Sequence, residues 1–180
     1  HHASVNDMPI DNESLDFAYS LGVLHHLPDT QKAIESIADI LKPGKPFLLY
    51  LYYAFDNRPM WYRTLWKTSD YLRRLVSRMP KRLRYIVSQT LAVMIYWPLA
   101  RFGLFLEKMH ILPGSWPLSY YRDKSFYVMR TDALDRFGTR LEKRYTREQI
   151  SEMLENAGFM DIHFSDKAPY WCAVGVKKSS

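Results

Sequence analysis

Scarcities narrow this sequence first. Of its 180 residues only one, Cys172, is a cysteine. An internal disulfide framework is therefore excluded, and the chain suits a reducing, cytoplasmic setting. Cys172 lies in an apolar run and reads as a buried thiol, not a nucleophile. The seven glycines, at 22, 44, 103, 114, 138, 158 and 175, never form a G-x-G pattern, so a glycine-rich phosphate or cofactor loop is missing. Internal repeats and low-complexity tracts are absent as well. His25 and His26 are adjacent, with side chains expected to diverge. His110 and His163 are isolated, and no third ligand stands at metal spacing, so no metal is expected. The longest nearly apolar window, Ile86 to Phe105, holds a single charge, Arg101, but Ser88, Gln89 and Pro98 interrupt it. A buried or interfacial helix pair is expected there in preference to a membrane span.

The composition, 47% hydrophobic and 24% charged, is that of a globular chain able to build a core. The net charge of +6 is unevenly spread. Between residues 56 and 112 stand eleven Lys and Arg against Asp56, Asp70 and Glu107, a local balance of +8 that leaves the rest at −2. The basic character belongs to one segment.

Leu15 to Ser20 reads as a strand buried on both faces. Asp29 or Thr30 caps a helix whose Ile34, Ile37, Ala38 and Leu41 share one face, and Lys42-Pro43-Gly44 ends it. Phe47 to Tyr53 is a second buried strand, parallel to the first because a helix joins them. Trp61, Leu65, Leu72, Leu75, Val76 and Met79 follow helical spacing. A longer helical stretch, Leu83 to Met109, is expected to be interrupted at Trp97-Pro98. Residues 113 to 130 read as an aromatic loop, followed by a short helix from Thr131 or Asp132 to Phe137. Thr146-Arg147-Glu148-Gln149 is a capping box, and Gly158 suits a left-handed C-terminal cap. Two closing strands lie at Ile162–Phe164 and Trp171–Val176, joined by a turn from Asp166 to Pro169.

At Ser20-Leu21-Gly22-Val23-Leu24-His25-His26, between that strand and the capped helix, the chain resembles the second half of a class I S-adenosylmethionine-dependent methyltransferase of the small-molecule kind. The resemblance covers residues 4 to 53, and 131 to 176 less closely. It implies an α/β fold: a Rossmann-like methyltransferase sheet, incomplete, holding strands four to seven, with a helical insertion after strand five. Leu15–Ser20 would be strand four, Phe47–Tyr53 strand five, Asp161–Ser165 strand six and Trp171–Val176 an antiparallel strand seven. Residues 1–55 and 131–180 would form the core, and 56–130 a lid-like insertion. Strands one to three, with the glycine-rich loop, have no counterpart, so the chain is expected to be a fragment beginning after that loop.

For the cofactor, S-adenosylmethionine, the resemblance implies contacts from Ser4-Val5, where the family carries an Asp and a small apolar residue against adenine, and from Ser20-Leu21-Gly22 beside the methionine part. It also implies a catalytic histidine, His26 ahead of His25. A neutral imidazole suits the removal of a proton from an O–H or N–H acceptor; the other reading is that the pair only orders the loop. Tyr120, Tyr121, Arg122 and Tyr127 are candidates for contact with the acceptor, a small or lipid-like molecule. Residues 56–112 read either as a lid with peripheral membrane contact or as a helical hairpin whose charges are simply solvated. Nucleic acid is the weaker reading of the charge, since the aromatics sit at helical spacing and no recognition motif accompanies them. A second function stays open beside the enzyme: a non-catalytic interaction or membrane-surface module on a degenerate methyltransferase half.

Overall fold

The computed structural model describes residues 2–114, 116–167 and 169–179. Ala168, in the expected turn between the last two strands, lies outside them. In chain order the elements are β1 (Ala18–Leu21), α1 (Thr30–Ile40), β2 (Pro46–Tyr50), α2 (Met60–Ser77), α3 (Lys81–Leu91), α4 (Trp97–Lys108), α5 (Phe126–Gly138), α6 (Arg147–Asn156), β3 (Phe159–Phe164) and β4 (Cys172–Lys177). They fall into two compact units. Unit one is residues 1–56 with 141–180, and unit two is residues 57–140. The uneven charge follows this division. Unit two holds sixteen Lys and Arg against five Asp and Glu, net +11, and unit one holds nine against fourteen, net −5.

Unit one is a four-stranded sheet in the order β1-β2-β4-β3. β1 and β2 are parallel, as the helix between them requires, and β4 runs antiparallel between β2 and β3. The fold class is thus α/β, with an incomplete sheet closed by an antiparallel last strand. Asp29, not Thr30, caps α1 by accepting the Lys32 amide at 3.0 Å. The expected face Ile34, Ile37, Ala38 and Leu41 is buried, together with Ile150 and Leu154 of α6, on the sheet row Ser20–Leu49–Ala173. Thr146 and Gln149 form the expected capping box of α6, and Gly158 follows at φ +84°.

Neither parallel strand is buried on both faces, contrary to expectation. The alternate row runs Tyr19–Leu48–Val174, and its Tyr19 is 67% exposed. α1 and α6 cover one face only, and among the described residues β1 is an edge strand with a single neighbour. The first strand also starts three residues late, at Ala18, because Leu15 makes only an isolated bridge to Leu41.

In unit two, α2 and α3 begin immediately after Pro59 and Pro80, where the missing proline amide costs no helical bond. The expected break at Trp97-Pro98 does not occur. The helix runs continuously from Lys81 to Lys108, through a π turn at Ala92–Tyr96 in which the Trp97 amide bonds back to the Ala92 carbonyl. Widening the turn just before Pro98 makes room for a ring that has no amide to donate. α5 starts at Phe126, five residues before the expected Thr131, because Ser125 caps it through the Val128 amide. The core of this unit is Val76, Ala92, Tyr96, Ala100, Met129, Ala133 and Phe137.

Candidate functional site

The carboxyl ends of β1 and β2 in unit one carry the chemistry. Gly22 leaves β1 at φ +72°, a left-handed conformation that glycine adopts without strain, and its amide donates to the Tyr50 carbonyl at 2.9 Å. The chain then turns through one 3-10 turn, Leu24–His26, before Asp29 starts α1. The histidine rings do not diverge. Their centroids lie 4.2 Å apart, because both lean on Tyr52: His25 stacks on it at 3.8 Å and His26 meets its edge at 5.9 Å.

The two histidines differ in what they can do. His25 is fully buried, and its Nδ1 accepts the Tyr52 backbone amide at 3.4 Å, which leaves the proton on Nε2. That Nε2 has no hydrogen-bond partner among the described residues. Burial, helped by the nearby His26 and Arg144, pulls the His25 pKa down to about 3, so its ring is neutral at physiological pH. His26 is half-buried, and its Nδ1 lies 2.8 Å from the Leu141 carbonyl oxygen. A carbonyl can only accept, so Nδ1 carries the proton and Nε2 presents a lone pair. Only His26 has a base available to an incoming molecule.

The segment Leu141–Tyr145 straps this end of the sheet. Besides Leu141, the Lys143 amide donates to the His25 carbonyl, the Lys143 Nζ to the Pro28 carbonyl, and the Tyr145 hydroxyl to Thr30 Oγ1. The Tyr145 amide bonds the Tyr52 carbonyl, and the Arg144 guanidinium lies 5.0 Å from the Tyr52 ring centre and 4.9 Å from that of Phe55. Sequence reasoning did not assign this strap a role. Its backbone bonds leave no side-chain pattern, and the available signals were its place just before the capping box and the family resemblance of the stretch that contains it.

Of the proposed cofactor contacts, Val5 packs partly buried against the sheet core and Ser4 is exposed, its hydroxyl accepting the Asn6 amide. Ser20 is buried, Leu21 is half exposed, and Gly22 offers bare backbone at the strand end. These residues fit one side of an S-adenosylmethionine molecule: an apolar wall and a side-chain-free strand exit. No carboxylate stands at Ser4-Val5 for the adenine.

Tyr120, Tyr121, Arg122 and Tyr127 all belong to unit two. The Tyr120 and Tyr121 rings meet at 5.1 Å, and Tyr121 also packs on Tyr96 at 5.4 Å. Burial, with Tyr96 and Asp132 beside it, pushes the Tyr121 phenol well above its usual range. Arg122 is held by Glu107 at 2.7 Å and by the Ser119 carbonyl. Tyr127 is exposed on the first turn of α5, not in a loop. A hollow of about 370 Å³ in unit two is lined by Arg84, Thr131, Leu134, Asp135, Gly138 and Thr139, and includes none of the four. Among the described residues no three His, Cys, Asp or Glu side chains are placed to share a metal ion.

Comparison with known proteins bears on the same region. Residues 1–49 match the family described as Methyltransferase domain. Similar solved structures include the protein paired with the Trm112 methyltransferase activator of Haloferax volcanii, at 15% identity and TM-score 0.41, covering 98% of this chain and 60% of that one. A S-adenosylmethionine-dependent methyltransferase of Methanosarcina mazei is similar at 12% identity and TM-score 0.49, covering 99% and 66%. Human N-acetylserotonin methyltransferase in complex with S-adenosylmethionine is similar at 14% and 0.48, covering 100% and 33%. The chain spans between a third and two thirds of the length of these proteins. The family match covers the first 49 residues, the part of the chain that holds the β1 exit and the histidine pair.

Proposed function

We propose that this chain forms the acceptor-side part of a methyltransferase that acts on a small or lipid-like acceptor in the cytoplasm. The observation that carries the reading is the tautomer of His26. Its Nδ1 proton is committed to the Leu141 carbonyl at 2.8 Å, so Nε2 is free as a base four residues after the strand exit. When bound, S-adenosylmethionine supplies the methyl group. The chain's own residues position and deprotonate. Gly22 and Ser20 hold the strand exit open, and Val5 supplies an apolar wall. His26 Nε2 takes the proton from an acceptor O–H or N–H, and the Leu141 carbonyl stabilises the imidazolium that forms. His25 stays neutral, so it adds no second positive charge beside His26. Tyr120, Tyr121, Arg122 and Tyr127 are the candidate acceptor contacts. Because the glycine-rich loop is missing from the sequence, the chain by itself supplies only part of the cofactor cradle.

The test is a calorimetric titration of S-adenosylhomocysteine into this chain and into a form extended at its N-terminus. Binding by the extended form alone supports the whole reading. Low-micromolar binding by the present chain overturns the incomplete cradle, and binding by neither overturns the methyltransferase function. In a binding-competent form, His26→Ala should then lower turnover by about 10²–10⁴-fold with little change in S-adenosylhomocysteine affinity.

A further inference from the structure

Unit two exposes an apolar surface that its own core leaves uncovered. α2 buries Asp70, Arg73, Val76 and Ser77 on one side. On its other side Trp61, Leu65, Leu72 and Leu75, at steps of four, seven and three, form an exposed apolar stripe. About a third of a turn round the helix from it, at steps of four, seven and four, runs a second exposed stripe: Arg63, Lys67, Arg74 and Arg78. Arg74 shares Asp70 with Arg73; Arg63, Lys67 and Arg78 have no acidic partner among the described residues. The helix that follows, Lys81–Lys108, is long and apolar enough to cross a bilayer, and only 22% of its most apolar window is buried. It is nevertheless docked in the unit through Ala92, Tyr96 and Ala100, while Ile86, Met94 and Trp97 remain exposed.

Charge decides among occupants. A second copy of this chain would bring its own +11 unit against this one, and like charges oppose that pairing. Nucleic acid would use the cations but leave the parallel apolar stripe in water. An anionic lipid surface takes both: the apolar stripe enters the headgroup–acyl boundary while the long Arg and Lys side chains reach back to the phosphates. An 18-residue helix offers such a surface about 27 Å of length.

We infer that α2 is an in-plane anchor that holds unit two on an anionic bilayer through Trp61, Leu65, Leu72 and Leu75, flanked by Arg63, Lys67 and Arg78. The inference stands on this surface and not on methyl transfer, so either can fail without the other.

The test is co-sedimentation of the full chain with vesicles of phosphatidylcholine alone and of phosphatidylcholine mixed with phosphatidylglycerol, at low and high salt. Binding should require the anionic lipid and weaken with salt. Arg63→Gln, Lys67→Gln and Arg78→Gln together should lower the partition coefficient about 100-fold, at roughly fivefold per cation. Trp61→Ser should weaken binding about tenfold or more and abolish a lipid-induced blue shift of tryptophan fluorescence. All four positions are exposed, and an unchanged circular dichroism spectrum confirms the fold of each variant. Equal binding to neutral vesicles, no binding to either, or retention of binding by both variants would overturn the proposal. So would sedimentation equilibrium showing a dimer that Trp61→Ser dissociates.

Discussion

The two units of this chain are held together differently. In unit one, apolar side chains from two helices close on one face of a sheet, and Ile34, Leu41, Phe47, Leu49, Ile150, Leu154 and Phe159 are completely buried. The unit is net acidic, and its Glu142–Arg144 ion pair is largely buried. In unit two the buried set is smaller and includes three alanines, and arginines do much of the joining. Arg73 reaches the Thr139 carbonyl at 2.9 Å and Arg84 the Gly138 carbonyl at 3.2 Å, so two guanidiniums satisfy the C-terminus of α5. Arg101 donates to the Arg122 and Lys124 carbonyls, and Arg130 to Gln89 and Tyr85. Part of the local positive charge is therefore internal structure. The remainder, which includes Arg63, Lys67 and Arg78 on the outer side of α2 together with Lys81, Arg82, Lys108 and Arg140, is available to a partner. A basic segment read by net charge alone mixes these two populations.

Substitutions can sharpen the contrast. The largest effect is expected for Phe47→Ala. Phe47 is fully buried and packs on Phe159 with centroids 5.5 Å apart, so its truncation should cost unit one about 3–5 kcal/mol. Amide exchange should show protection lost across β1, β2 and β4 before α2 and α5; simultaneous loss would mean that the units unfold as one.

Next in size, Arg73→Met should destabilise unit two by about 3 kcal/mol, because it strips Asp70 of its buried partner and the Thr139 carbonyl of its donor. Burial raises the Asp70 pKa, but Arg73 and Arg74 outweigh it and hold the carboxyl below its usual range, so the charge left behind is real. Denaturant unfolding of the variant should leave the sheet protected. An unchanged midpoint would show that arginine joining is dispensable.

The third effect is a pH dependence confined to unit one. The His25 pKa in the folded chain, about 3, lies below its ordinary 6.5, so the unfolded chain binds the extra proton. Its contribution is complete above pH 6.5 and shrinks as the pH falls toward 3. The loss is up to about 1.4 kcal/mol per pH unit, or about 2 kcal/mol between pH 6.5 and 5, before carboxylates enter. His25→Phe should keep the stack on Tyr52 and flatten that slope. Equal slopes in wild type and variant would show that His25 is not held neutral.

The organisation of unit one was legible where the information is local. The Asp29 cap, the apolar face Ile34–Ile37–Ala38–Leu41, the Thr146–Gln149 capping box and the Gly158 cap all depend on residues within a few positions of one another. Each appears in the structure as the spacing implies. The parallel pairing of β1 with β2 followed from the helix between them. What failed depended on distant partners. Tyr19 and Leu48 look like core residues in a strand, and only the one-sided placement of α1 and α6 leaves their row uncovered. The candidate histidines were visible as a pair, and the order His26 ahead of His25 came from the family resemblance, not from any chemistry legible in Leu24-His25-His26-Leu27. Pro98 signalled a break; the π turn absorbed it by a geometry that residue types do not encode.

By itself, then, the sequence determined the helix boundaries set by caps and prolines, the order of strands and helices, the methyltransferase pattern of residues 1–49, and the concentration of positive charge in one segment. These are properties of neighbours along the chain or of composition. Tertiary structure alone decided that His25 is buried and neutral while His26 keeps a free nitrogen. Leu141, which fixes that nitrogen, lies 115 residues away and binds through its backbone. It also decided which arginines are spent inside unit two and which face outward. Burial and carbonyl partners are set by what the fold brings together, and the residue type alone does not carry that information.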